Sequence, residues 1–177
     1  MEKLFFVGIK HSGKTTFAKR MALRFGYEFS DADNLILDYL DGESIRDFYK
    51  REGKDAFMSV EKKAIEEYLN SNNKSIVLSL GGGAAENEAL MAILKNSGKI
   101  IYLTRRESEM LPVILKHGIP AFLDPNNLEE SFHRVFERRD CIYKHWADSI
   151  IDLGTYRDKD ETEEALYQAM RTLGYGI

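Results

Sequence analysis

Residues 8–15 read GIKHSGKT and fill every fixed position of the phosphate-binding pattern G-x-x-x-x-G-K-[ST]. In such a phosphate loop, backbone N–H groups point at phosphate oxygens and the positive end of the following helix adds to the attraction. The pattern predicts that Lys14 contacts the β- and γ-phosphates of a nucleotide and that Thr15 offers its hydroxyl to Mg²⁺. The predicted nucleotide contacts within this stretch are Gly8, His11, Ser12, Gly13, Lys14, Thr15 and Thr16.

The segments on both sides of the loop agree with this interpretation. Residues 4–7 form a short apolar run, as expected of a buried parallel strand. Residues 16–25 carry apolar side chains at helical spacing. Strand, glycine-containing loop and helix is the arrangement that phosphate binding through backbone amides requires.

Further strand-like runs alternate with helical patterns along the chain. The five predicted strands lie at residues 4–7, 28–30, 75–80, 99–103 and 149–153. Ser44, Asn127 and Asp160 each have an acidic residue three positions later, which predicts helices that begin at these three sites. Alternation of this kind predicts an α/β fold of three layers, a parallel sheet between two layers of helices. We expect residues 1–177 to form a single domain.

Residues suited to chemistry follow the second and third predicted strands. Asp31 and Asp33 come directly after the second, and Gly81, Gly82 and Gly83 follow the third. Ligands of open parallel sheets bind at the carboxyl ends of the strands, so these residues and the phosphate loop are expected to meet. The alternatives are structural: an aspartate can cap a helix, and the glycines can form a plain turn.

Taken together, these segments resemble the shikimate kinases, a family of phosphate-loop enzymes. The matching stretches are residues 8–16, 29–33, 42–48, 52–57, 77–84 and 137–139, together with Glu61, Tyr143 and Ala147. VLSLGGGA, at residues 77–84, is the most specific of them. The resemblance implies a five-stranded parallel sheet in the order 2-3-1-4-5, a mobile lid, ATP and Mg²⁺ as cofactors, and transfer of the γ-phosphate to a hydroxyl of shikimate in aromatic amino acid biosynthesis.

The resemblance also implies a role for each matching residue. Lys14 and Thr15 serve the nucleotide phosphates and Mg²⁺, Asp31 lies near the metal, and Asp33 holds the acceptor hydroxyl and can take its proton. The implied contacts with the acceptor substrate are Asp33, Gly81, Gly82, Gly83 and Arg139, which would bind a carboxylate. These roles make physical sense, because phosphoryl transfer depends on positioning and charge neutralisation. For Arg139, the alternative is a solvated arginine on a helix rich in basic residues.

The sequence departs from the family pattern at the acceptor region (about residues 31–62) and the lid (about residues 111–126). The family's G-E-x-x-F-R has Lys54 in place of its glutamate and Met58 in place of its arginine, which binds the acceptor's carboxylate. Ile119 replaces the arginine of the lid motif R-P-L-L. Lys116 could supply the lid charge, and Arg46, Arg51, Lys54 or Lys62 the acceptor-site charge.

These departures leave several functions open. The acceptor is shikimate or another small hydroxylated acid or amino acid, such as homoserine or gluconate, and a non-catalytic nucleotide-binding relative is a third hypothesis. A GTPase is disfavoured because the chain lacks a guanine-reading N-K-x-D segment. A nucleoside monophosphate kinase would need several lid and acceptor arginines that are missing here.

Composition limits the partners and the setting. The net charge of −4 argues against a nucleic-acid or membrane partner, and no stretch approaches the length of a membrane span. A single cysteine, Cys141, excludes an internal disulfide and fits a reducing cytoplasm. The start of the chain lacks the features of a signal peptide. We therefore expect a cytoplasmic protein, and the resemblance implies a monomer.

Overall fold

The computed structural model describes residues 1–120 and 122–177; Ala121, which falls within the predicted lid, lies outside the described residues. At its centre is a sheet of five parallel strands in the order β2-β3-β1-β4-β5. The strands are β1 (Lys3–Val7), β2 (Glu28–Asp31), β3 (Ile76–Ser79), β4 (Lys99–Thr104) and β5 (Ser149–Asp152). The predicted fold class and strand order are confirmed.

Helices cover both faces of the sheet. They are α1 (Lys14–Phe25), α2 (Ala32–Tyr39), α3 (Ile45–Ser71), α4 (Glu88–Ser97), α5 (Glu107–Leu115), α6 (Leu128–Trp146) and α7 (Lys159–Thr172), with a short 3₁₀ helix at Ala84–Glu86. Alternate residues of β1 serve the two faces, since Leu4 and Phe6 pack towards α1 and α7 while Phe5 and Val7 pack towards α3 to α6. None of the described helices combines the length and the apolar character that a membrane crossing requires.

Two of the predicted helix starts agree with the structure in position. The hydroxyl of Ser44 accepts a hydrogen bond of 3.1 Å from the backbone N–H of Asp47 and so caps α3, as predicted. Asn127 occupies the N-cap position of α6, but its side chain donates to the Glu130 carboxylate instead of accepting from the backbone. The sequence spacing therefore located the start of α6 but not its capping contact.

The predicted start of the last helix was wrong. Asp158, not Asp160, is the N-cap of α7, and its carboxylate accepts from the backbone N–H groups of Asp160 (2.8 Å) and Glu161 (3.3 Å). Asp160 lies in the first turn, where its negative charge still favours the helix dipole. The spacing of Asp160 and Glu163 imitates a capping box that begins two residues after the true N-cap.

Helix α3 joins two segments that the sequence suggested separately, one beginning at Ser44 and one over residues 60–69. It is interrupted at Gly53, whose φ of 85° lies in the left-handed region. A side chain at that φ would be strained, so the break requires glycine. The change of direction places residues after Gly53, among them Lys54 and Met58, on the wall of the cavity described next.

Candidate active site

A cavity of about 420 Å³ lies at the carboxyl ends of β1, β2 and β3. Its lining includes nine of the predicted site residues: His11, Lys14, Thr15, Asp31, Asp33, Gly81, Gly82, Gly83 and Arg139. The topology explains this convergence, because parallel strands end at the same edge of the sheet. Lys116, exposed at the end of α5, is not among the described residues that line the cavity.

Glycines fix the path of the phosphate loop at its two ends. Gly8 has φ 154°, and a Cβ there would lie 2.4 Å from the carbonyl oxygen of Leu103 on β4. Gly13 has φ 103° and is the N-cap of α1, so the helix begins directly at Lys14. The positive end of α1 therefore faces the loop, as phosphate binding requires.

Lys14 is buried and faces the cavity. Only 7% of it is exposed, and its Nζ donates to the carbonyl oxygen of Ile9 at 3.0 Å. Burial lowers the pKa of Lys14 to about 8, although the nearby charges of Asp33 and Asp31 act in the opposite direction. A phosphate group beside it would favour the charged ammonium.

Three oxygen-bearing side chains meet beside Lys14. The Thr15 hydroxyl donates to Asp31 Oδ2 at 3.1 Å and lies 3.0 Å from the hydroxyl of Ser79 at the end of β3. Hard oxygen donors of this kind suit Mg²⁺, which keeps most of its waters and uses few protein ligands. Residues 1–120 and 122–177 contain no cluster of three or more His, Cys, Asp or Glu side chains that could hold a metal ion. Ser79, which the sequence analysis missed, is a polar residue at a strand end.

Asp33 occupies the first turn of α2 and faces the cavity. Desolvation by the surrounding protein atoms raises the pKa of Asp33 above its ordinary value, and the negative charge of Asp31 raises it further. The positive charges of Lys14 and Lys10 oppose this rise. A carboxylate with a raised pKa is a better proton acceptor. Asp31 also caps α2, since its Oδ1 accepts from the backbone N–H of Asp33 at 3.0 Å. The capping alternative therefore holds for Asp31 in addition to its place beside Thr15.

The three glycines pack the end of β3 against the phosphate loop. A Cβ on Gly82 would lie 2.9 Å from the backbone nitrogen of Lys10, so no larger residue fits there without movement. At Gly81 and Gly83, the same test gives only ordinary contacts, the shortest being 3.6 Å and 3.7 Å. The buried Tyr143 hydroxyl donates to the Gly82 carbonyl at 3.1 Å and holds the turn from the side of α6. The turn is thus fixed by packing and faces the cavity.

Arg139 projects from α6 into the same cavity. Its side chain is only 9% exposed, in contrast to 55% for its neighbour Arg138. The guanidinium carbon lies 5.0 Å from the ring centre of Phe122, and its N–H groups donate to Glu86. Arg139 is therefore a buried cation beside the triple glycine and not a solvated surface arginine.

Comparison with known proteins agrees with this geometry. The family model described as shikimate kinase matches residues 10–172. The chain belongs to the shikimate kinase family. A shikimate kinase of Persephonella marina is 35% identical over 143 residues, covering 81% of this chain and 84% of the relative. One from Stenotrophomonas maltophilia is 29% identical and covers 91% of this chain and 88% of its own length.

Solved structures of the shikimate kinase family share the fold. The shikimate kinase of Acinetobacter baumannii in complex with shikimate superposes with a TM-score of 0.81 at 25% identity, covering 97% of this chain and 94% of that one. The shikimate kinase of Bacteroides thetaiotaomicron gives a TM-score of 0.83 at 21% identity. The resemblance inferred from the motifs is confirmed. The family consists of phosphotransferases that act on an alcohol group and use ATP with Mg²⁺.

The acceptor side of the cavity is the part that departs from the shikimate kinase pattern. Tyr49, Phe57 and Met58 form an apolar wall, and the rings of Tyr49 and Phe57 are 5.7 Å apart. Of the four cations considered as replacements for the family arginine, Lys54 alone is among the described residues that line the cavity. Lys54 donates to Glu86 at 2.9 Å.

Glu61 is a buried acid that lines the cavity beside this wall. Asn87, the N-cap of α4, donates from its Nδ2 to Glu61 Oε2 at 2.9 Å and to the Met58 carbonyl at 2.9 Å. Burial raises the pKa of Glu61 to about 7, because the Asn87 hydrogen bond offsets desolvation only in part and Asp33 adds repulsion. Asn87 was missed from the sequence, since nothing local to it indicates a partner on α3.

Replacing Glu61 by glutamine should stabilise the protein at alkaline pH. The pKa of Glu61 is raised in the folded chain from an ordinary value of 4.5 to about 7, so ionisation costs stability as the pH rises through this window. Urea unfolding should show no difference near pH 4.5 and a gain of about 3 kcal/mol at pH 8 for Glu61→Gln. Glu67→Gln, at an exposed position on the same helix, is the control. Equal pH profiles of stability for Glu61→Gln and wild type would contradict the raised pKa of Glu61.

Two described residues of the predicted lid segment, His117 and Phe122, contact residues of the site. The ring of His117 stacks on that of His11 in the phosphate loop, with centroids 4.4 Å apart. The Nδ1 of His117 is 3.1 Å from the Val113 carbonyl at the end of α5, which anchors the ring. Ile119, at the position of the family's lid arginine, is 53% exposed. His117 thus brings the lid segment against the phosphate loop. The nucleotide contact predicted for Lys116 and the motion of the lid stay predictions.

Arg105, directly after β4, was also missed. It is 5% exposed and donates to the Ser12 carbonyl at 3.1 Å and to the carbonyls of Gly154 (3.1 Å) and Thr155 (2.9 Å). The Tyr156 ring centre lies 4.2 Å from its guanidinium carbon. Arg105 therefore fastens the loop after β5 to the phosphate loop. Its position at a strand end was the available signal.

Proposed function

We propose that this chain transfers the γ-phosphate of MgATP to a hydroxyl group of shikimate. The observation that carries the proposal is the placement of the Asp33 carboxylate in the same cavity as Lys14 and Thr15. A nucleotide-binding relative without activity would have no need of an acid at this position. Membership of the shikimate kinase family supports the same conclusion.

Each group has a definite task in this reaction. Lys14 and the backbone amides of the phosphate loop bind the β- and γ-phosphates, and Thr15 and Asp31 hold the metal site. Mg²⁺, when bound, neutralises charge on the phosphate oxygens. Asp33 orients the acceptor hydroxyl for attack in line with the bond that breaks and accepts its proton as the new bond forms.

The other end of the cavity suits the body of the acceptor. Arg139 is the cation that would bind the acceptor's carboxylate, and the wall of Tyr49, Phe57 and Met58 can pack against a carbon ring. The solved family member from Acinetobacter baumannii is described as a complex with shikimate. Shikimate carries both a carboxylate and a ring with hydroxyl groups, so it fits this division of the cavity.

A second candidate function has one observation in its favour. Met58 replaces the family's arginine, and Arg139 already donates hydrogen bonds to Glu86. The acceptor side is therefore less cationic than the family pattern implies. Another small hydroxylated acid, or an amino acid such as homoserine, would need different binding groups there. Loss of one charge-assisted contact changes affinity by roughly tenfold to a hundredfold.

A coupled assay of ADP release separates these functions. We expect ADP formation that depends on shikimate and on Mg²⁺, with a phosphorylated shikimate detected by mass spectrometry. Release with homoserine or gluconate but not with shikimate would favour the second candidate. Binding of MgATP without ADP release for any acceptor would indicate a non-catalytic relative and overturn the proposal.

We further infer that the chain acts as a monomer in the cytoplasm, without nucleic-acid or membrane partners. The net charge of −4 supports the last part, since nucleic acids and anionic membranes attract basic proteins. Cys141 is a free thiol, which suits a reducing compartment. Light scattering coupled to size exclusion should give the mass of one chain, and a dimer mass would contradict the inference.

A further inference from the structure

Glu86 is a carboxylate that the protein itself supplies to the acceptor end of the cavity. It is the last residue of the short helix Ala84–Glu86, directly after the triple glycine. Its Oε1 accepts from Arg138 at 2.7 Å and from both Nε and Nη2 of Arg139 at 3.2 Å. Its Oε2 accepts from Lys54 at 2.9 Å. One acid thus engages three cations from two helices.

This carboxylate stays ionised. Burial alone would raise the pKa of Glu86, but the hydrogen bonds from Lys54 and Arg138 and the charge of Arg139 lower it to about 2. The side chain of Glu86 is 19% exposed, so solvent screens these contacts only in part. At neutral pH, Arg139 is therefore already paired with an anion within the site, which it shares with Arg138 and Lys54.

Among the residues that the structure describes, every cation that lines the acceptor end already donates a hydrogen bond to Glu86. Lys10 and Lys14 lie on the side of the phosphate loop, and the remaining basic residues of the lining, Lys54 and Arg139, both donate to Glu86. Met58 adds an apolar group where a third cation could have stood. An acceptor that enters with a carboxylate must displace Glu86 from Arg139 or share the guanidinium with it.

We propose that Glu86 determines the acceptor specificity of this site by competing with the acceptor's carboxylate for Arg139. The inference rests on the proposed function and extends it to the charge of the acceptor. Glu86 raises the KM for an anionic hydroxy acid and leaves the transfer step itself unchanged, because it lies on Arg139 and not on the phosphate loop. Neutralising it should free one charge-assisted contact, equivalent to roughly tenfold in affinity.

The test is the variant Glu86→Gln, which keeps the size of the side chain and removes its charge. Steady-state assays should show a KM for shikimate about tenfold lower, with kcat and the KM for ATP unchanged. Equilibrium dialysis with labelled shikimate should give the same gain without turnover. Exposed Glu88→Gln, two residues further on, is the matched control and should behave as wild type.

An uncharged acceptor isolates the electrostatic part. Shikimate methyl ester lacks the anion that competes for Arg139, so Glu86→Gln should bring no gain with it. An equal gain with acid and ester would overturn the proposal. A structural role for Glu86, holding Arg139 in place, predicts the opposite of competition, since Glu86→Gln would then raise the KM for shikimate.

The outcomes distinguish this inference from the proposed function. Wild-type turnover of shikimate with an unchanged or raised KM in Glu86→Gln overturns the inference and leaves the function standing. A wild-type protein that neither binds nor phosphorylates shikimate, with binding gained in Glu86→Gln, supports the inference and overturns shikimate as the acceptor. If neither the wild type nor Glu86→Gln binds shikimate while both proteins bind MgATP, the proposed function and the inference about Glu86 are both overturned.

Discussion

Replacing Asp33 by asparagine should reduce phosphoryl transfer by at least about a hundredfold while MgATP still binds. Asparagine keeps the size of the side chain and can still accept a hydrogen bond, but it cannot take the proton that the acceptor hydroxyl loses. Desolvation and the negative charge of Asp31 raise the pKa of Asp33, which makes its carboxylate a better acceptor for that proton. Single-turnover assays and calorimetric titration of MgATP measure the two quantities separately.

The control for this variant is Asp38→Asn, at an exposed position near the other end of the same helix α2. It removes the same charge from the same helix outside the cavity and should leave turnover unchanged. Near-normal turnover in Asp33→Asn would show that the carboxylate neither orients the hydroxyl nor takes its proton. Loss of MgATP binding in that variant would place Asp33 at the nucleotide instead.

Replacing Lys14 by methionine should lower kcat by about 10² to 10³-fold or more without weakening the fold. Lys14 is 7% exposed, and burial lowers its pKa to about 8 from an ordinary 10.5. For a base, a lowered pKa means that the folded state is penalised below about pH 8 and that the penalty disappears as the pH rises above 10.5. At pH 7, the cost is about 3 kcal/mol, which an apolar side chain of similar length does not incur.

The expected signature is therefore loss of activity with a free energy of unfolding that is unchanged or higher at pH 7. Lys19→Met, at an exposed position on the same helix α1, supplies the comparison and should change neither property. A Lys14→Met protein that unfolds more easily than wild type at pH 7 would show that Lys14 stabilises the fold. Full activity in that variant would exclude its proposed contact with the phosphates.

The five strands and the set of residues at the strand ends were predictable because they depend on local patterns. Each strand is a short apolar run, and the phosphate loop, Asp31, Asp33 and the triple glycine follow strands directly, so the rule for parallel sheets brings them together. The family motifs supplied the strand order. The start of α7 was misplaced because Asp158 and Asp160 both stand near a helical pattern, and only the backbone contacts decide between them.

The contacts that tune the site could not be read in the same way. Glu86 and Arg139 are 53 positions apart, and Glu61 meets Asn87 across 26. Neither pair belongs to a periodic pattern, because each depends on how helices that are separate in the chain pack beside one another on one face of the sheet. The same holds for Arg105, whose partners belong to two loops far from it in the chain. Polar residues at strand ends can therefore be predicted from the sequence, whereas side-chain hydrogen bonds between helices cannot.

The two oxygens of the Asp31 carboxylate accept separate hydrogen bonds. Oδ1 accepts from the backbone N–H of Asp33 at 3.0 Å and so fixes the first turn of α2, while Oδ2 receives the Thr15 hydroxyl at 3.1 Å on the side suited to Mg²⁺. A single planar group therefore sets the distance between the proposed metal position and Asp33, the proposed proton acceptor. A substitution at Asp31 would disturb both contacts at once, whereas a substitution in the apolar wall across the cavity would leave both in place.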